Sequence, residues 1–335
     1  MPEHGYRPID LSGLRTYSVA DRVHKVTLGP AADGAFLPAE GATASELLAS
    51  LPDVLGVKEF RAVVGAIVDA VGAKRPVVMA MGGHVVKVNC GPVVIDLIER
   101  GVVTAVVCNG ATAIHDVEIA TIGQTSEEVA ETIRDGSFGM VRETMDFFAV
   151  ATRLASGERI GLGEAVGRLL TEQRAPHVGC SILAAAYRAG IPACIHVALG
   201  TDTVHMAPEA DGAKIGAATM HDFRLVCSVV ADLGAADSPA AGHGAGGVWL
   251  NVGSAVVLPE VFLKAVSVAR NLGADLEAMT TANFDMLRHY RPRANVVLRP
   301  TAPGRGHEVV GHHEFLLPLL RQAVIEELAG TKGGR

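Results

Sequence analysis

The segment from Gly82 to Glu118 carries a sequence of residues suited to nucleotide chemistry. The pair Gly82-Gly83 follows one apolar run, and a second apolar run ends in an Asn-Gly turn followed by His115 and Asp116. Glycines at the carboxyl end of a strand let phosphates approach backbone N–H groups at a helix start. Turn formation alone is the competing explanation for the glycine pair. The pattern predicts a nucleotide site and therefore an enzyme.

A second polar cluster follows the apolar run Ile191–Val197. It contains Thr201, Asp202, Thr203 and His205. Residues just past a strand end face the ligand crevice of an open α/β sheet. The carboxylate of Asp202 could fix the tautomer of His205, which would then be an oriented general base. Helix capping by Asp and Thr is the alternative interpretation.

Glycine and serine also follow the apolar run Gly247–Val252. The pair Gly253-Ser254 precedes a helix start at Pro259 and Glu260. This pattern is typical of a phosphate or ribose contact. Ordinary helix-start chemistry explains it equally well, because acidic residues favour helix N-termini.

The segment Thr280–Pro292 places Asp285 just after an apolar stretch, where it could accept hydrogen bonds from ribose hydroxyls. Four polar or charged residues follow closely: Arg288, His289, Tyr290 and Arg291. The alternative interpretation is a solvated surface turn.

Histidine and glutamate are dense near the C-terminus, at His307, Glu308, His312, His313 and Glu314. We nevertheless predict no metal site, because HExxH is absent and adjacent histidines rarely bind one ion together. Glycine turns leading into the last helix are the simpler interpretation, with His312 or His313 lining the nucleotide site.

Short apolar runs alternate with helical patterns along most of the chain. Unbroken runs of this length favour strands that are covered on both faces, as in a parallel sheet. The predicted strands are Pro76–Met81, Val102–Cys108, Ile191–Val197, Gly247–Val252, Asn295–Leu298 and a weaker one near Met279. Helices are predicted at Ala44–Ser50, Lys58–Val71, 91–100, 180–189, 212–232, 259–272 and 313–328. We therefore predict an α/β fold with a doubly wound, mostly parallel, Rossmann-like sheet of about six strands.

The predicted organisation is an N-terminal arm (1–45) and one α/β domain (46–330) that binds the nucleotide. The arm would pack on the body or on a neighbouring subunit. Strand patterns vanish at about 118–177, where three helical segments predict an insertion that caps the site. The loop 235–247 is low in sequence complexity, and we expect it to be mobile.

The composition narrows the function classes. Apolar residues make up 49% of the 335 residues, charged residues 19%, and the net charge is -7. With no basic run, nucleic acid and anionic membranes are not expected as partners, and a small molecule is. The five cysteines form no CxxC pair and predict buried free thiols. Without a leader pattern or a run of 18 apolar residues, we predict a cytoplasmic protein.

Several segments, in this order, resemble the deoxyhypusine synthase family, including its bacterial relatives of unassigned activity. The resemblance spans about residues 55–325 and rests on CNGATAIHDVE, IPACIHVALGTDTVHM, VGSAVVLPEVFLKA, TTANFD and HHEFLLPLL. It implies bound NAD, a homotetramer with sites at subunit interfaces, and transfer of an aminobutyl group from spermidine to a lysine.

The resemblance also implies a set of residues that contact NAD. Carried over position by position, these are Asn89, Cys90, Asn109, Gly110, Asp116, Asp202, Gly253, Ser254, Thr281, Ala282, Asp285 and His312. The departures argue against deoxyhypusine synthesis. Arg299 stands where the family has its imine-forming lysine, and arginine stays protonated and cannot be that nucleophile. His205 replaces an acidic residue for the polyamine, and Leu258-Pro259-Glu260 replaces a Lys-His-His step.

Our first hypothesis is an NAD-dependent enzyme that abstracts hydride from a small anionic substrate bearing a hydroxyl or amine. Arg299 or Arg291 would hold the anionic group by bidentate hydrogen bonds. The predicted catalytic residues are His205, Asp202, Arg299 and Glu260, and the predicted substrate-binding residues are His115, His205, His289 and Arg291. The alternatives are an aminobutyl transferase of the homospermidine synthase type, using spermidine or putrescine, and a non-catalytic NAD sensor.

Overall fold

Six strands form one sheet in the computed structural model, which describes residues 5–24, 37–234 and 245–333. All five strand pairs are parallel, in the spatial order β3-β2-β1-β4-β5-β6. The strands are β1 (Val77–Met81), β2 (Ala105–Asn109), β3 (Ala193–His196), β4 (Val248–Val252), β5 (Thr280–Asp285) and β6 (Gly306–Val310). The predicted α/β class and strand number are confirmed.

Helices connect the strands and cover both faces of the sheet. They are α1 (Ala44–Ser50), α2 (Leu55–Gly72), α3 (His84–Lys87), α4 (Gly91–Glu99), α5 (Gly110–Ile122), α6 (Val129–Thr132), α7 (Arg142–Glu158), α8 (Leu162–Glu172), α9 (Ile182–Ala189), α10 (Gly212–Ala231), α11 (Val257–Asn271), α12 (Tyr290–Pro292) and α13 (His313–Gly333). Short 3-10 turns lie at Val19–Asp21, Val178–Cys180 and Thr203–Met206. Because helices connect successive strands, every strand starts at the same end of the sheet, and all carboxyl ends lie together at the opposite end.

The two central strands, β1 and β4, mark a reversal of strand order. From β1 the chain builds outward to β2 and β3, and it then returns across the sheet to β4, β5 and β6. The connections on the two sides therefore diverge at the carboxyl ends of β1 and β4. In open α/β sheets, ligands bind in the crevice at such a switch point.

Residues of the central strands alternate between two apolar cores. Val77, Met79 and Met81 of β1 face one core, and Val78 and Ala80 face the other. All five are fully buried, as expected for a strand covered on both faces. In the second core the only tryptophan of the chain, on β4, stacks on a phenylalanine of α11 with ring centroids 4.3 Å apart. This packing fixes the strand ends that carry the site.

One predicted strand is wrong. The run Asn295–Leu298 lies in a π-helix, Arg293–Leu298, and the sixth strand is instead β6, which the sequence analysis assigned to glycine turns. A run of four residues, three of them apolar, cannot be told from a buried helical turn by periodicity. Strand β6 lies at the sheet edge and is only partly buried, so its sequence carries few apolar residues.

The helical insertion covers the end of strand β3. Helix α5 extends to Ile122, and α6, α7 and α8 follow, as the three predicted helical segments. Helix α7 contacts α10 and the turn Thr203–Met206, and α8 contacts β3. The insertion therefore closes one side of the carboxyl edge.

Two other expectations meet the structure only in part. Four of the five cysteines are buried free thiols, and Cys180 is free but exposed. Residues 5–24 of the predicted arm are exposed throughout and do not pack on the body. Most of the predicted loop 235–247 and the rest of residues 1–36 lie outside the described ranges. The predicted domain division stays a prediction.

A buried carboxylate joins three elements beneath the insertion. Asp222 on α10 is fully buried, and its Oδ2 accepts the N–H groups of Gly163 on α8 (3.1 Å) and Ile195 on β3 (2.8 Å). Burial raises the pKa of the Asp222 carboxyl from 3.8 to about 7, against the opposing effect of these hydrogen bonds. The folded protein therefore binds this proton more tightly than the unfolded chain does.

This proton makes stability depend on pH. Because the folded-state pKa is raised, the contribution is present below about pH 4 and is lost as pH rises toward about 7, by at most about 4 kcal/mol. We expect Asp222→Asn to remove this slope from the free energy of unfolding measured by denaturant titration across that range. Asp146→Asn, at an exposed position of α7, should keep it. Equal slopes in wild type and Asp222→Asn would contradict the assignment.

Candidate functional site

Two glycines meet at the switch point between β1 and β4. The N–H of Gly82 donates to the carbonyl of Val252 (2.9 Å), and any Cβ on Gly82 would overlap the carbonyl oxygen of Gly253. Gly253 itself has φ +64°, in the region that favours glycine, and a Cβ there would lie 2.8 Å from Cε1 of His313. The two loops can approach this closely only without side chains.

The next glycine connects the switch point to the end of strand β2. A Cβ on Gly83 would lie 3.1 Å from Cδ2 of His115 and 3.4 Å from Cβ of Ala111, both on α5. The Gly82-Gly83 turn therefore touches the β4 loop on one side and α5 on the other. The glycine segments predicted from the sequence lie together at one edge.

A pair of histidines lies directly behind this turn. The Nδ1 atoms of His84 and His313 are 2.9 Å apart, and Nε2 of His313 is 3.1 Å from the carbonyl of Phe284. A carbonyl only accepts, so Nε2 of His313 donates and its Nδ1 accepts from Nδ1–H of His84. Burial, and next the neighbouring His313, lower the pKa of His84. When His84 donates through Nδ1, its Nε2 is left as an acceptor.

The end of strand β2 starts helix α5. Asn109 is the N-cap, and its Oδ1 accepts the N–H of Thr112 (2.9 Å) and its hydroxyl (2.8 Å). The same hydroxyl lies 2.9 Å from the carbonyl of Met81 on β1, a second acceptor for its single proton. Gly110 packs against the carboxylate of Asp202, which any Cβ at that position would overlap. Asn109 thus shapes the helix start, and Asp202 covers it.

Asp202 and His205 form a tight unit in the turn after β3. Nδ1 of His205 accepts the N–H groups of Gly200 (3.1 Å) and Asp202 (3.2 Å), so the ring proton is on Nε2, 3.7 Å from Oδ2 of Asp202. The two side chains are 10% and 8% exposed, respectively. Burial raises the pKa of the Asp202 carboxyl, against the opposing effects of His205 and a hydrogen bond from Thr201. The 3.7 Å separation exceeds hydrogen-bond distance, so His205 acts on the Asp202 carboxylate through its charge distribution alone.

Asp202 lines two cavities. The first, of about 110 Å³, lies between α7 and α10 and is called the α7–α10 cavity; it is bordered by His205, Phe148 and Arg153, among others. The second, of about 230 Å³, lies along α5 and is called the α5 cavity; its walls include His115 and Lys87. Asp202 therefore lies between the α5 cavity, which is beside the glycine turn, and the α7–α10 cavity, which is under the insertion.

The predicted residues near strands β4 and β5 form a separate network. Glu260 accepts from Nδ2 of Asn295 (2.9 Å) and pairs with Nε of Arg291 (3.4 Å). Arg299 donates to Oδ1 of Asn295 (2.9 Å) and to the hydroxyl of Tyr290 (3.1 Å). Neither arginine lines the cavities that Asp202 lines. The structure thus separates Arg291, Arg299 and Glu260 from the Asp202–His205 unit.

Two further predicted residues lie at the end of strand β5. Asp285 is its last residue, is 9% exposed in its side chain, and accepts the N–H of Leu287 (3.1 Å). His289 lies 3.9 Å from it through Nε2. Ser254, at the end of β4, is buried, and its hydroxyl accepts the N–H of Leu258 (3.3 Å). These positions border the switch point on the β4 side.

Three predicted cofactor contacts are placed away from the edge. Thr281 and Ala282 lie near the amino end of β5, fully buried, and the hydroxyl of Thr281 donates to the carbonyl of Val296. Asp116 is buried and caps α9, since its oxygens accept from Ser181 and from two backbone N–H groups. None of the three has a polar atom free for a ligand at the crevice.

Other predicted contacts are only partly suited to a ligand. Asn89 is exposed with φ +58°, and Cys90 is the buried N-cap of α4. His312 is 61% exposed and pairs with Glu314, while the neighbouring His313 is the buried member that reaches the site. The sequence analysis left His312 and His313 open as alternatives, and the structure favours His313.

Four residues near the crevice were not among the predicted site residues. They are His84, Lys87, Arg153 and Glu209. The position of His84 directly after the glycine turn was the one available signal. Arg153 and Glu209 reach the α7–α10 cavity only through tertiary packing of the insertion.

Two features are absent from the described ranges. No helix in them is long and apolar enough to cross a bilayer. Nor do residues 5–24, 37–234 and 245–333 hold a cluster of three or more His, Cys, Asp or Glu side chains arranged for a metal ion.

Comparison with known proteins shows the fold. No family model and no curated protein matches the sequence. The structure is similar to AgrE in ternary complex with ornithine and NAD+, at 13% identity and a TM-score of 0.52 over 85% of this chain and 34% of that chain. It is also similar to a candidate LOR/SDH protein from Methanococcus maripaludis S2, at 12% identity and a TM-score of 0.51 over 82% of this chain and 69% of that one.

A third similar structure is a candidate deoxyhypusine synthase from Entamoeba histolytica, at 11% identity and a TM-score of 0.47 over 86% of this chain and 94% of that chain. The family resemblance stays a prediction. The chain spans about a third of the length of the AgrE chain. The similarity to AgrE and to the LOR/SDH protein shows that the chain shares their α/β fold.

Proposed function

We propose that the chain is an NAD-dependent enzyme that abstracts hydride from a small substrate with an anionic group and a hydroxyl or amine. The carrying observation is that Asp202 lines both the α5 cavity, beside the glycine turn, and the α7–α10 cavity. Two facts support the cofactor: AgrE, of similar fold, was solved with NAD+ bound, and the crevice lies at the switch point where this fold class binds dinucleotides.

The residues around the glycine turn fit a dinucleotide. Lys87 lines the α5 cavity and has no partner in the described ranges, so its ammonium is available to a phosphate. The N-terminus of α5, a helix of 13 residues, adds the partial positive charge of its first turn. Gly83 carries no side chain that would fill the space beside α5, whereas the carboxylate of Asp202 covers Gly110. We propose that Lys87, Gly82, Gly83 and Gly253 hold the cofactor.

The Asp202–His205 unit supplies the proton chemistry. Bound NAD would accept a hydride from the substrate carbon that carries the hydroxyl or amine. Asp202 would take the proton of that hydroxyl or amine on a carboxylate oxygen. Its raised pKa brings it closer to the ideal for a general base near neutral pH. His205, with Nε2 at 3.7 Å from the carboxylate, would favour the ionised form of Asp202, which assigns His205 a supporting role.

Transfer of an aminobutyl group through an enzyme lysine does not fit this site. Arg299 stands in place of the expected lysine, is exposed, and is already bonded to Asn295 and Tyr290. A guanidinium cannot form an imine at neutral pH. We therefore propose that the protein does not make deoxyhypusine.

The test is a turnover assay of the purified chain with NAD+. We expect reduced nicotinamide to accumulate with at least one small hydroxy acid or amino acid, and no aminobutyl product with spermidine or putrescine. Homospermidine as the product would instead support the transferase alternative. Binding of NAD+ without turnover of any such substrate would support the sensor.

The N-terminal segment supports self-association. Seven large apolar side chains are exposed within residues 5–24: Tyr6, Ile9, Leu11, Leu14, Tyr17, Val19 and Val23. Exposed apolar side chains at this density mark an interaction surface. We propose that this segment packs on a neighbouring copy in a homotetramer. Light scattering should show a tetramer for the full chain and a smaller species after removal of residues 1–43.

A further inference from the structure

The α7–α10 cavity contains charges that its own residues do not neutralise. Among its charged or titratable side chains, Asp202 pairs with His205, and Asp211 pairs with Lys214 through a 2.7 Å contact. Two other charged side chains remain, Arg153 on α7 and Glu209 before α10. Neither has a hydrogen bond or ion pair within the part of the chain that the structure describes. Both residues are exposed, so they border the cavity from its solvent side, and each charge is free to pair with a ligand.

We propose that this cavity binds a small zwitterion: an amino acid whose carboxylate is held by Arg153 and whose ammonium is held by Glu209. A guanidinium binds a carboxylate by two parallel hydrogen bonds, and a carboxylate accepts from an ammonium. The inference rests on the proposed function in one respect, because it names the substrate class of the same enzyme.

Ligands with a single sign of charge fit the cavity less well. A simple anion drawn to Arg153 would lie in the same small space as Glu209, and the two negative charges would repel. A diamine or polyamine drawn to Glu209 would meet Arg153 in the same way. Such opposed charges select a zwitterion by rejecting the other two classes.

The volume and the walls set the size of the ligand. One water molecule occupies about 10–15 Å³ of such a cavity. A cavity of about 110 Å³ therefore has room for roughly seven to eleven non-hydrogen atoms. The apolar part of the wall includes Phe148, Ile195 and Ile215, all of them buried. This surface suits a short hydrocarbon chain between or beside the charged groups. An amino acid with an aliphatic side chain meets each of these conditions.

The test compares matched ligands by isothermal titration calorimetry, with and without NAD+. The zwitterions are glycine, L-norvaline and L-lysine; pentanoate lacks the amine of norvaline, and butylamine lacks its carboxylate. We expect at least one zwitterion to bind, and pentanoate and butylamine to bind at least about 10-fold more weakly than norvaline. Equal binding of norvaline and either analogue overturns the proposal, and so does no binding of any zwitterion.

Two variants locate the ligand. Arg153→Gln and Glu209→Gln should each weaken zwitterion binding by about 10- to 100-fold. Arg224→Gln and Glu99→Gln, at exposed positions outside the cavity, are the matched controls and should bind as wild type. Unchanged binding by both cavity variants, with circular dichroism showing that they are folded, overturns the proposal.

The same titrations separate this inference from the proposed function. If NAD+ binds and no zwitterion does, the zwitterion site is wrong and the cofactor proposal stands. If norvaline or lysine binds through Arg153 and Glu209 while NAD+ does not bind, the proposed function is wrong and the zwitterion site stands.

Discussion

Replacing Gly82 with alanine should abolish NAD binding and lower the free energy of unfolding by about 1–3 kcal/mol. The added methyl group would occupy the position of the Gly253 carbonyl oxygen, which is backbone and cannot rotate away. The β1 and β4 loops would have to separate, and the crevice between them would change shape. Calorimetric titration with NAD+ and denaturant unfolding measure the two effects.

The matched control is Gly65→Ala in helix α2. No atom lies within 4 Å of a Cβ at Gly65, and alanine favours a helix interior by roughly 0.5–1 kcal/mol over glycine. We expect that variant to be as stable as wild type or more stable, and to bind NAD+ normally. Normal NAD+ binding by Gly82→Ala would show that the cofactor does not depend on the switch-point geometry.

Replacing Asp202 with asparagine should lower turnover by about 10²- to 10⁴-fold while NAD+ still binds. Asparagine keeps the size of the side chain against Gly110 and the position of the turn, but it cannot accept a proton at neutral pH. The control is Asp146→Asn on the exposed surface of α7. Turnover within a few-fold of wild type would exclude Asp202 as the base.

The pH profile gives a second readout of the same residue. A base is active when ionised, so turnover should rise as pH rises through the pKa of Asp202. Burial raises that pKa, which places the rise closer to neutral pH than for an exposed aspartate. In Asp202→Asn this limb should be absent from whatever activity remains. A profile that keeps the same limb would assign it to another group.

The sequence was sufficient for the architecture because the central strands are buried on both faces. An unbroken apolar run such as Pro76–Met81 admits few other structures, and five of the six strands coincide with predicted runs or lie beside one. Strand β6 was missed because an edge strand needs fewer apolar residues. The π-helix at Arg293–Leu298 was mistaken for a strand because it is only six residues long. A segment this short does not show the helical spacing of apolar residues that would distinguish it from a strand.

The sequence predicted only those parts of the site that lie directly at the ends of strands. Gly82, Gly253 and Asp202 lie at one edge because the carboxyl ends of parallel strands share it, and their role as a site stays a prediction. Asp116 was predicted at the same edge because it follows β2 closely in the sequence. The structure instead buries it against the start of α9, and its position in the sequence does not indicate that burial. Arg153 could not be found from the sequence, since the packing of α7 against α10 alone brings it to the cavity.

The most direct test of the central claim is a crystal structure of the full chain grown with NAD+. We predict a dinucleotide at the switch point, with its phosphates beside Gly82-Gly83 and Lys87 and its nicotinamide end at Asp202. A dinucleotide bound elsewhere, or none in a folded protein at saturating NAD+, would contradict the account.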